Sequence, residues 1–343
     1  MYFVSASTGL VSQGYYYANQ VDKEISQLGN YYLRSKISFN GGSEWNLIEP
    51  PKSFNFEKCN TCSPGASLQD CSLHLHGPTS WMAPEGPHPN LYSIESAPAI
   101  LLATGNVGSH LDFHPDGDCT YMSQDGGNTW QDIAENTSIY ELSNAGGTIV
   151  YASHRSEGPT NQLFFSLDYG QCFHQVKLSE PMLIENIRIA PKGQSNVFLV
   201  LGTSCIKSSM HPDCTFTGGS KPNGIMYSIN LPDILGEDWR ECNADDQSQD
   251  YQVWDFGGRC IMGSKRTLRR RAPGTFCADP LTWKLEIKES NHCDCSFNDI
   301  ECEFGFKRSS NTTCSQISGL SIGEACPVRI AFFLSIGDVI SCL

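Results

Sequence analysis

The chain has 343 residues, with 23 basic and 37 acidic side chains and a formal net charge of −14. That balance argues against general nucleic-acid binding, which needs a basic footprint, so no nucleic acid is expected as a partner. Charged residues make up only 17%, while 31 glycines and 18 prolines are present, a composition suited to turn-rich β structure.

In chain order, residues 1–50 read as strands that end in Ser38-Phe39-Asn40-Gly41-Gly42-Ser43-Glu44-Trp45. The same Ser, Asp/Asn, Gly and aromatic pattern returns as Ser123-Gln124-Asp125-Gly126-Gly127-Asn128-Thr129-Trp130 and as Ser166-Leu167-Asp168-Tyr169-Gly170-Gln171-Cys172-Phe173. Three occurrences make an internal repeat, which bears directly on architecture. The chemistry fits a tight hairpin. An Asp or Asn carboxyl or amide oxygen accepts backbone N–H bonds, Gly supplies a positive φ, and the aromatic opens the next strand with its ring between sheets. These are Asp boxes, the hairpins of β-propeller blades. Their working residues are Ser38, Asn40, Gly42 and Trp45; Ser123, Asp125, Gly127 and Trp130; and Ser166, Asp168, Gly170 and Phe173.

The boxes start at residues 38, 123 and 166, so the intervals are 85 and 43 residues. One blade of about 43 residues plus a loop insertion at 51–90, rich in Pro, Gly, His and Cys, accounts for the longer interval. Apolar runs at 99–104, 148–152, 161–165, 174–178, 196–201 and 225–231 read as strands. A last blade is expected over 180–235 with its box lost, giving about four blades. From Glu237 onward the strand pattern fades and cysteines recur.

Sixteen cysteines, nine of them between Cys242 and Cys342, together with sequons at Asn136 and Asn311, indicate an oxidising, lumenal or extracellular setting. No signal peptide and no run of about 20 apolar residues is present. A lumenal protein without an entry signal is expected to be a piece of a longer one.

Four further strings carry a family resemblance. They are Cys71-Ser72-Leu73-His74-Leu75-His76; Glu95-Ser96-Ala97-Pro98 leading to Ala103-Thr104-Gly105-Asn106-Val107-Gly108; Cys260-Ile261-Met262-Gly263-Ser264-Lys265 with Arg269-Arg270-Arg271; and Cys293-Asp294-Cys295 followed by Asp299-Ile300-Glu301-Cys302-Glu303-Phe304-Gly305-Phe306. In that order and spacing the chain resembles the lumenal domain of the sortilin-type sorting receptors, from about residue 30 to about 315. The resemblance implies an all-β fold: a partial Asp-box β-propeller, the last blades of a ten-bladed ring, followed by small disulfide-rich modules. Residues 1–236 would be the partial propeller, 237–296 the first module and 297–343 the second, truncated or aberrant at its end after Cys326.

The resemblance also implies a lumenal fragment of a receptor that binds cargo proteins or peptides for transport from the Golgi to endosome, vacuole or lysosome. It would face the lumenal or extracellular side of Golgi, endosomes or plasma membrane. A membrane anchor is expected in the full-length protein and not in this chain. The family's interleaved order implies bridges Cys242–Cys277 and Cys260–Cys293 in the first module and Cys302–Cys314 in the second, with Cys295 left for a late partner such as Cys342. Cys172, which replaces the Thr of its box, is expected to tie the blades to an N-terminal region, with Cys119 the conceivable alternative. Cys205 and Cys214 could bridge within their own loop, and one of Cys59 or Cys62 is expected to pair with Cys71.

Blander readings stand beside these. His74 and His76 at i, i+2 face one way on a strand, with His88, His110 or His114 as a third metal ligand. A packed strand is favoured over a metal, and neither metal nor cofactor is expected. Lys265, Arg266, Arg269, Arg270 and Arg271 read as a solvated strand face in preference to a docking patch or a processing site. The functional alternative is a secreted Asp-box glycosidase-like, sialidase-type propeller. Such an enzyme needs converging Arg and carboxylate groups, which nothing in the sequence marks, so no catalytic residue is expected.

Overall fold

The computed structural model describes residues 15–22, 32–39, 42, 44–78, 80, 88–94, 96–114, 117–189, 195–204, 223–243, 249–255, 260, 264–275, 277–280, 287–294, 302, 305–309 and 313–318. The fold is all-β apart from short helical turns. A first antiparallel sheet holds β1 (Tyr16–Val21), β2 (Leu33–Ser38) and β3 (Asn46–Leu47) in that order. A second holds β4 (Ser72–Leu75), β5 (Leu101–Gly108), β6 (Cys119–Ser123) and β7 (Gln131–Ala134). The third runs from β8 (Ser138–Ser143) through β9 (Thr148–Ser153), β10 (Thr160–Ser166), β11 (His174–Arg188) and β12 (Val197–Ser204) to β13 (Gly224–Asn230).

The 15-residue β11 serves two units at once. Its residues 174–177 pair with β10, and 182–188 pair with β12 across a bulge between Ile184 and Asn186. The third sheet is therefore two blade-like units fused along one strand, and four units follow one another along the chain.

The units stack face to face, because each strand presents apolar side chains to its neighbour. Tyr17 and Ile37 of the first sheet meet Leu73, Leu75, Leu101 and Trp130 of the second in one apolar cluster. Ile100, Leu102 and Met122 meet Leu142, Ile149 and Tyr169 in the next. Val150, Leu163 and Phe165 then meet Ile184, Phe198 and Val200. The central strand β5 is buried along seven of its eight residues, which is why it reads as an apolar run without clean alternation.

The 51–90 segment departs from expectation. Four of its residues, Ser72–Leu75, are the fully buried edge strand β4, paired with β5. Leu73 and Leu75 enter the core, while buried His74 is satisfied by the Ser35 N–H at 3.1 Å and by Ser72 Oγ and the Gly108 carbonyl at 3.0 and 3.1 Å. The short strand is hidden in the sequence because two of its four side chains are polar and its flanks are Pro- and Gly-rich. Upstream, Asn55 and Phe56 donate backbone N–H bonds to the buried Asp132 carboxylate at 2.9 and 2.8 Å, which lays this part of the segment across β7.

A smaller sheet, β14 (Tyr251–Asp255), β15 (Ser264–Arg271) and β16 (Ile287–His292), follows, and then the hairpin β17 (Phe306–Arg308) and β18 (Cys314–Gln316). Among the described residues this region's own buried apolar cluster is Cys242, Tyr251 and Cys277, while Leu268 of β15 joins the first blade cluster, so cross-links stand in for a large core.

Candidate functional site

The boxes fold as their chemistry predicts. In the second, Ser123 Oγ accepts from Gly127 N–H at 2.8 Å, Asp125 accepts from Thr129 N–H at 2.8 Å and from Thr129 Oγ1 at 2.6 Å, and Trp130 Nε1 donates to the Gly127 carbonyl at 3.1 Å. The third repeats this with Gly170 N–H on Ser166 Oγ at 2.8 Å and Cys172 N–H on Asp168 at 3.0 Å. Phe173 meets the Tyr151 ring edge-on at 5.1 Å. In the first, Gly42 N–H donates to Ser38 Oγ at 2.9 Å, and Trp45 is half-buried; Asn40 lies outside the described residues. Gly42, Gly127 and Gly170 share a φ near +90° (91°, 92° and 85°). The Asp125 and Asp168 carboxylates are bound up in turn hydrogen bonds, so these boxes are scaffold.

What the boxes hold in place is a docking point for the cysteine-rich region. At the end of β15, Arg270 and Arg271 are 1% and 0% exposed, which corrects the expectation of a solvated basic face. Arg270 donates to the carbonyls of Gln124 at 2.8 Å and Pro98 at 3.0 Å. Gln124 belongs to the second Asp box. The Arg270 guanidinium also lies 5.2 Å from the Tyr169 ring, in the third box, and 5.6 Å from the Trp254 ring of β14. Burial lowers its pKa to about 10, so it stays charged.

Arg271 donates to the Cys277 carbonyl and lies 3.6 Å from buried Asp279. Asp279 in turn accepts the Tyr251 hydroxyl at 2.8 Å. Gly147 makes this approach possible: a Cβ there would sit 1.8 Å from Arg271 Nη2. Tyr169 takes a left-handed φ of 60° and is fully buried beneath both arginines. Burial first, then Asp279, pushes its hydroxyl up to about 12. The alternation rule puts adjacent Arg270 and Arg271 on opposite faces, so it predicts one of the pair inward and not both, and gives no hint of the carbonyl pair that receives Arg270. Tyr169, Gly147 and Asp279 carry no sequence signal for this role.

Beside the dock lies a cavity of about 820 Å³ between β11 and the module, lined by His174, Leu235, Arg240, Asp250 and residues 272–275. Arg240 makes a bidentate pair with Asp250 at 2.6 and 2.5 Å, which depresses the Asp250 pKa to about 2.

The bridges Cys242–Cys277, Cys260–Cys293 and Cys302–Cys314 are present as expected, and Cys62 takes Cys71. Cys59 pairs with Cys119, which removes Cys119 as a mate for Cys172; Cys172 is an exposed free thiol. Cys205, Cys214, Cys295, Cys326, Cys342 and the Asn311 sequon lie outside the described residues. Asn136 is half-buried and its Nδ2 donates to Ser153 Oγ at 3.1 Å. His74 and His76 do not converge on one ligand point: His74 is satisfied as above, and burial lowers its pKa to about 4, while His76 faces His88 and Asp118.

The family model described as sortilin, neurotensin receptor 3, matches residues 8–187, and its C-terminal counterpart matches residues 189–331. The chain belongs to the sortilin–Vps10 family. The vacuolar protein sorting/targeting protein 10 of Uncinocarpus reesii is 30% identical over 306 residues, 86% of this chain and 19% of that protein. Its namesake in Aspergillus terreus is 30% identical over 317 residues, 88% of this chain and 20% of that one. The Saccharomyces cerevisiae vacuolar protein sorting/targeting protein PEP1 is 28% identical over 314 residues, 90% of this chain and 18% of its own length. This sortilin-family chain thus spans about a fifth of the length of the curated relatives it matches. Among solved structures, YCF48 from Cyanidioschyzon merolae aligns over 77% of this chain and 71% of its own at 12% identity and a TM-score of 0.26, too loose a superposition to bear on the fold.

Proposed function

We propose that the chain is part of a lumenal sorting receptor that binds cargo proteins or peptides for transport from the Golgi to endosomes and the vacuole or lysosome. The observation that carries the reading is the pair of family matches, which run in order across both the blades and the cysteine-rich region. The dock supports it: Arg270 and Arg271 fix the module against the boxes, so blades and module offer cargo one continuous surface. In this reading the stacked units are the last blades of a ten-bladed ring. The exposed Cys172 thiol joins the N-terminal part of that ring, and a membrane anchor lies elsewhere in the full-length protein. No helix among the described residues is long and apolar enough to cross a membrane.

Disrupting the gene tests the function directly. Soluble vacuolar or lysosomal hydrolases should appear in the medium, and re-expression of the full-length protein should return them to the cell. Unchanged hydrolase retention in the disrupted cells would overturn the reading.

A further inference from the structure

Asp118 immediately precedes β6 and is fully buried, His76 immediately follows β4 and is fully buried, and His88, farther along the chain, is 5% exposed. His76 Nε2 lies 3.1 Å from both Asp118 carboxylate oxygens, and His88 Nδ1 lies 2.9 Å from Asp118 Oδ2. The two imidazoles stack at 3.9 Å, and Phe113 packs against both, at 5.6 and 6.0 Å. The remaining ring nitrogens, His76 Nδ1 and His88 Nε2, have no hydrogen-bond partner among the described residues. The shared carboxylate alone therefore orients both rings.

Three donor groups thus converge on one buried point. The ionic partners of Asp118 among the described residues are the imidazoles of His76 and His88. A divalent cation at that point would face the carboxylate and take His76 Nε2 and His88 Nδ1 as ligands.

The geometry points to a metal site formed by His76 Nε2, His88 Nδ1 and the Asp118 carboxylate, and we propose that it takes zinc or a similar first-row divalent ion. The three donor atoms lie within 4.8 Å of one another. The two measured His–Asp separations are 3.1 and 2.9 Å, against an edge of about 3.3 Å for a tetrahedron with bonds of about 2.0–2.1 Å. Two imidazoles and one carboxylate suit zinc, whereas calcium and magnesium favour all-oxygen shells. Thr137 Oγ1 lies 3.5 Å from Asp118 Oδ2 and helps to hold the carboxylate.

The ion would tie the end of β4 and His88 to the start of β6, contacts separated by 42 and 30 residues in sequence. Its role is structural, beside the Cys59–Cys119 bridge on the next residue. It is independent of whether the protein sorts cargo.

The test is metal analysis of the full chain, produced through a secretory route so that its disulfides form. One zinc per chain is expected after dialysis against metal-free buffer containing no chelator. Dipicolinate should remove it and lower the melting temperature, added zinc should restore both, and cobalt should give the visible d–d bands of a tetrahedral nitrogen–oxygen site. Asp118→Asn and His88→Gln should lose the stoichiometric metal, while His114→Gln, at an exposed histidine, should keep it. If folded wild-type protein binds less than a tenth of an equivalent and its melting temperature ignores zinc and chelator alike, the proposal is wrong and the cluster is only a hydrogen-bonded carboxylate. The wild-type measurements decide the matter even if a variant does not fold. Zinc retained by both folded site variants would equally overturn it.

Discussion

The blades and the cysteine-rich module reach stability by different routes, and the dock between them shows why both are needed. Blade stacks are held by extended apolar clusters in which Leu, Ile, Val and aromatic side chains interdigitate between successive sheets. Among the described residues, the module around β14–β16 has a buried apolar cluster of three residues of its own, two of them bonded to each other as a disulfide, and Leu268 of β15 joins a blade cluster. It gains a second wall by placing two arginines into the blades. A small domain that cannot bury enough of its own surface uses cross-links and a neighbour instead.

If that contrast is right, the greatest effect comes from breaking the module's own buried ion pair beneath the dock. Arg271→Met deletes the cation beside buried Asp279 while keeping a similar volume, and breaking a buried pair in this way costs about 3–5 kcal/mol. We expect the module to become a separate, earlier transition in chemical unfolding, with limited proteolysis cutting near residues 272–275 while the blades persist. Adding Asp279→Asn should recover part of the loss, because it removes the stranded charge. A single unchanged transition in Arg271→Met would break the comparison.

Next in size is the replacement of Cys242 and Cys277 by serine. Their bridge spans 35 residues, and closing a loop of that length stabilises by on the order of 3–4 kcal/mol. Only the module's transition should shift, and an equal shift of the blade transition would mean the two regions fold as one unit. Within the blades the box glycines offer a finer test. A Cβ on Gly170 would lie 2.3 Å from Met122 Cε, whereas one on Gly42 meets nothing closer than 3.7 Å. Gly170→Ala should therefore cost ~2–3 kcal/mol, from left-handed backbone strain plus overpacking, and Gly42→Ala ~1–2 kcal/mol from the strain alone. Equal losses in denaturant midpoints would show that the boxes are turns only and do not wedge one blade against the next.

Much of the blade architecture is legible because its signals are local. Each box places donor, acceptor and glycine within eight residues, and strands such as 148–152 and 196–201 are apolar enough to read alone. β4 escapes, since a four-residue strand with Ser72 and His74 in it declares itself only through partners at Ser35 and Gly108. The burial of Arg270 and Arg271 is hidden in the sequence for a related reason. Charge runs are solvated unless something receives them, and what receives Arg270 is a pair of carbonyls, Gln124 and Pro98, 146 and 172 residues away. Asp118 sits in a bland Asp-Gly-Asp string whose meaning appears only when His76 and His88 are folded onto it. Contacts of this kind depend on tertiary placement, which residue spacing does not encode.

The smallest effect concerns the cavity at the seam. Arg240 holds the Asp250 pKa near 2, below the unfolded value of about 3.9. A carboxyl whose folded pKa is depressed adds stability that is fully present above the unfolded pKa and is lost as pH falls through the folded one. The window is thus about pH 4 down to about 2. Arg240 is half exposed, with 51% of its side chain accessible, so solvent screening keeps the contribution within about 1 kcal/mol. Asp250 also accepts the Asn243 backbone N–H at 2.8 Å, so Asp250→Asn should slightly loosen the hold of residue 250 on Arg240 and Asn243 and flatten the module's stability between pH 4 and 2. The blade transition should keep its own pH profile, since no box carboxylate touches this pair. The measurement is a set of denaturant midpoints for wild type and variant at pH 2, 3, 4 and 6. If the variant's module loses stability with acid as steeply as wild type does, Arg240–Asp250 is not what makes the seam acid-sensitive.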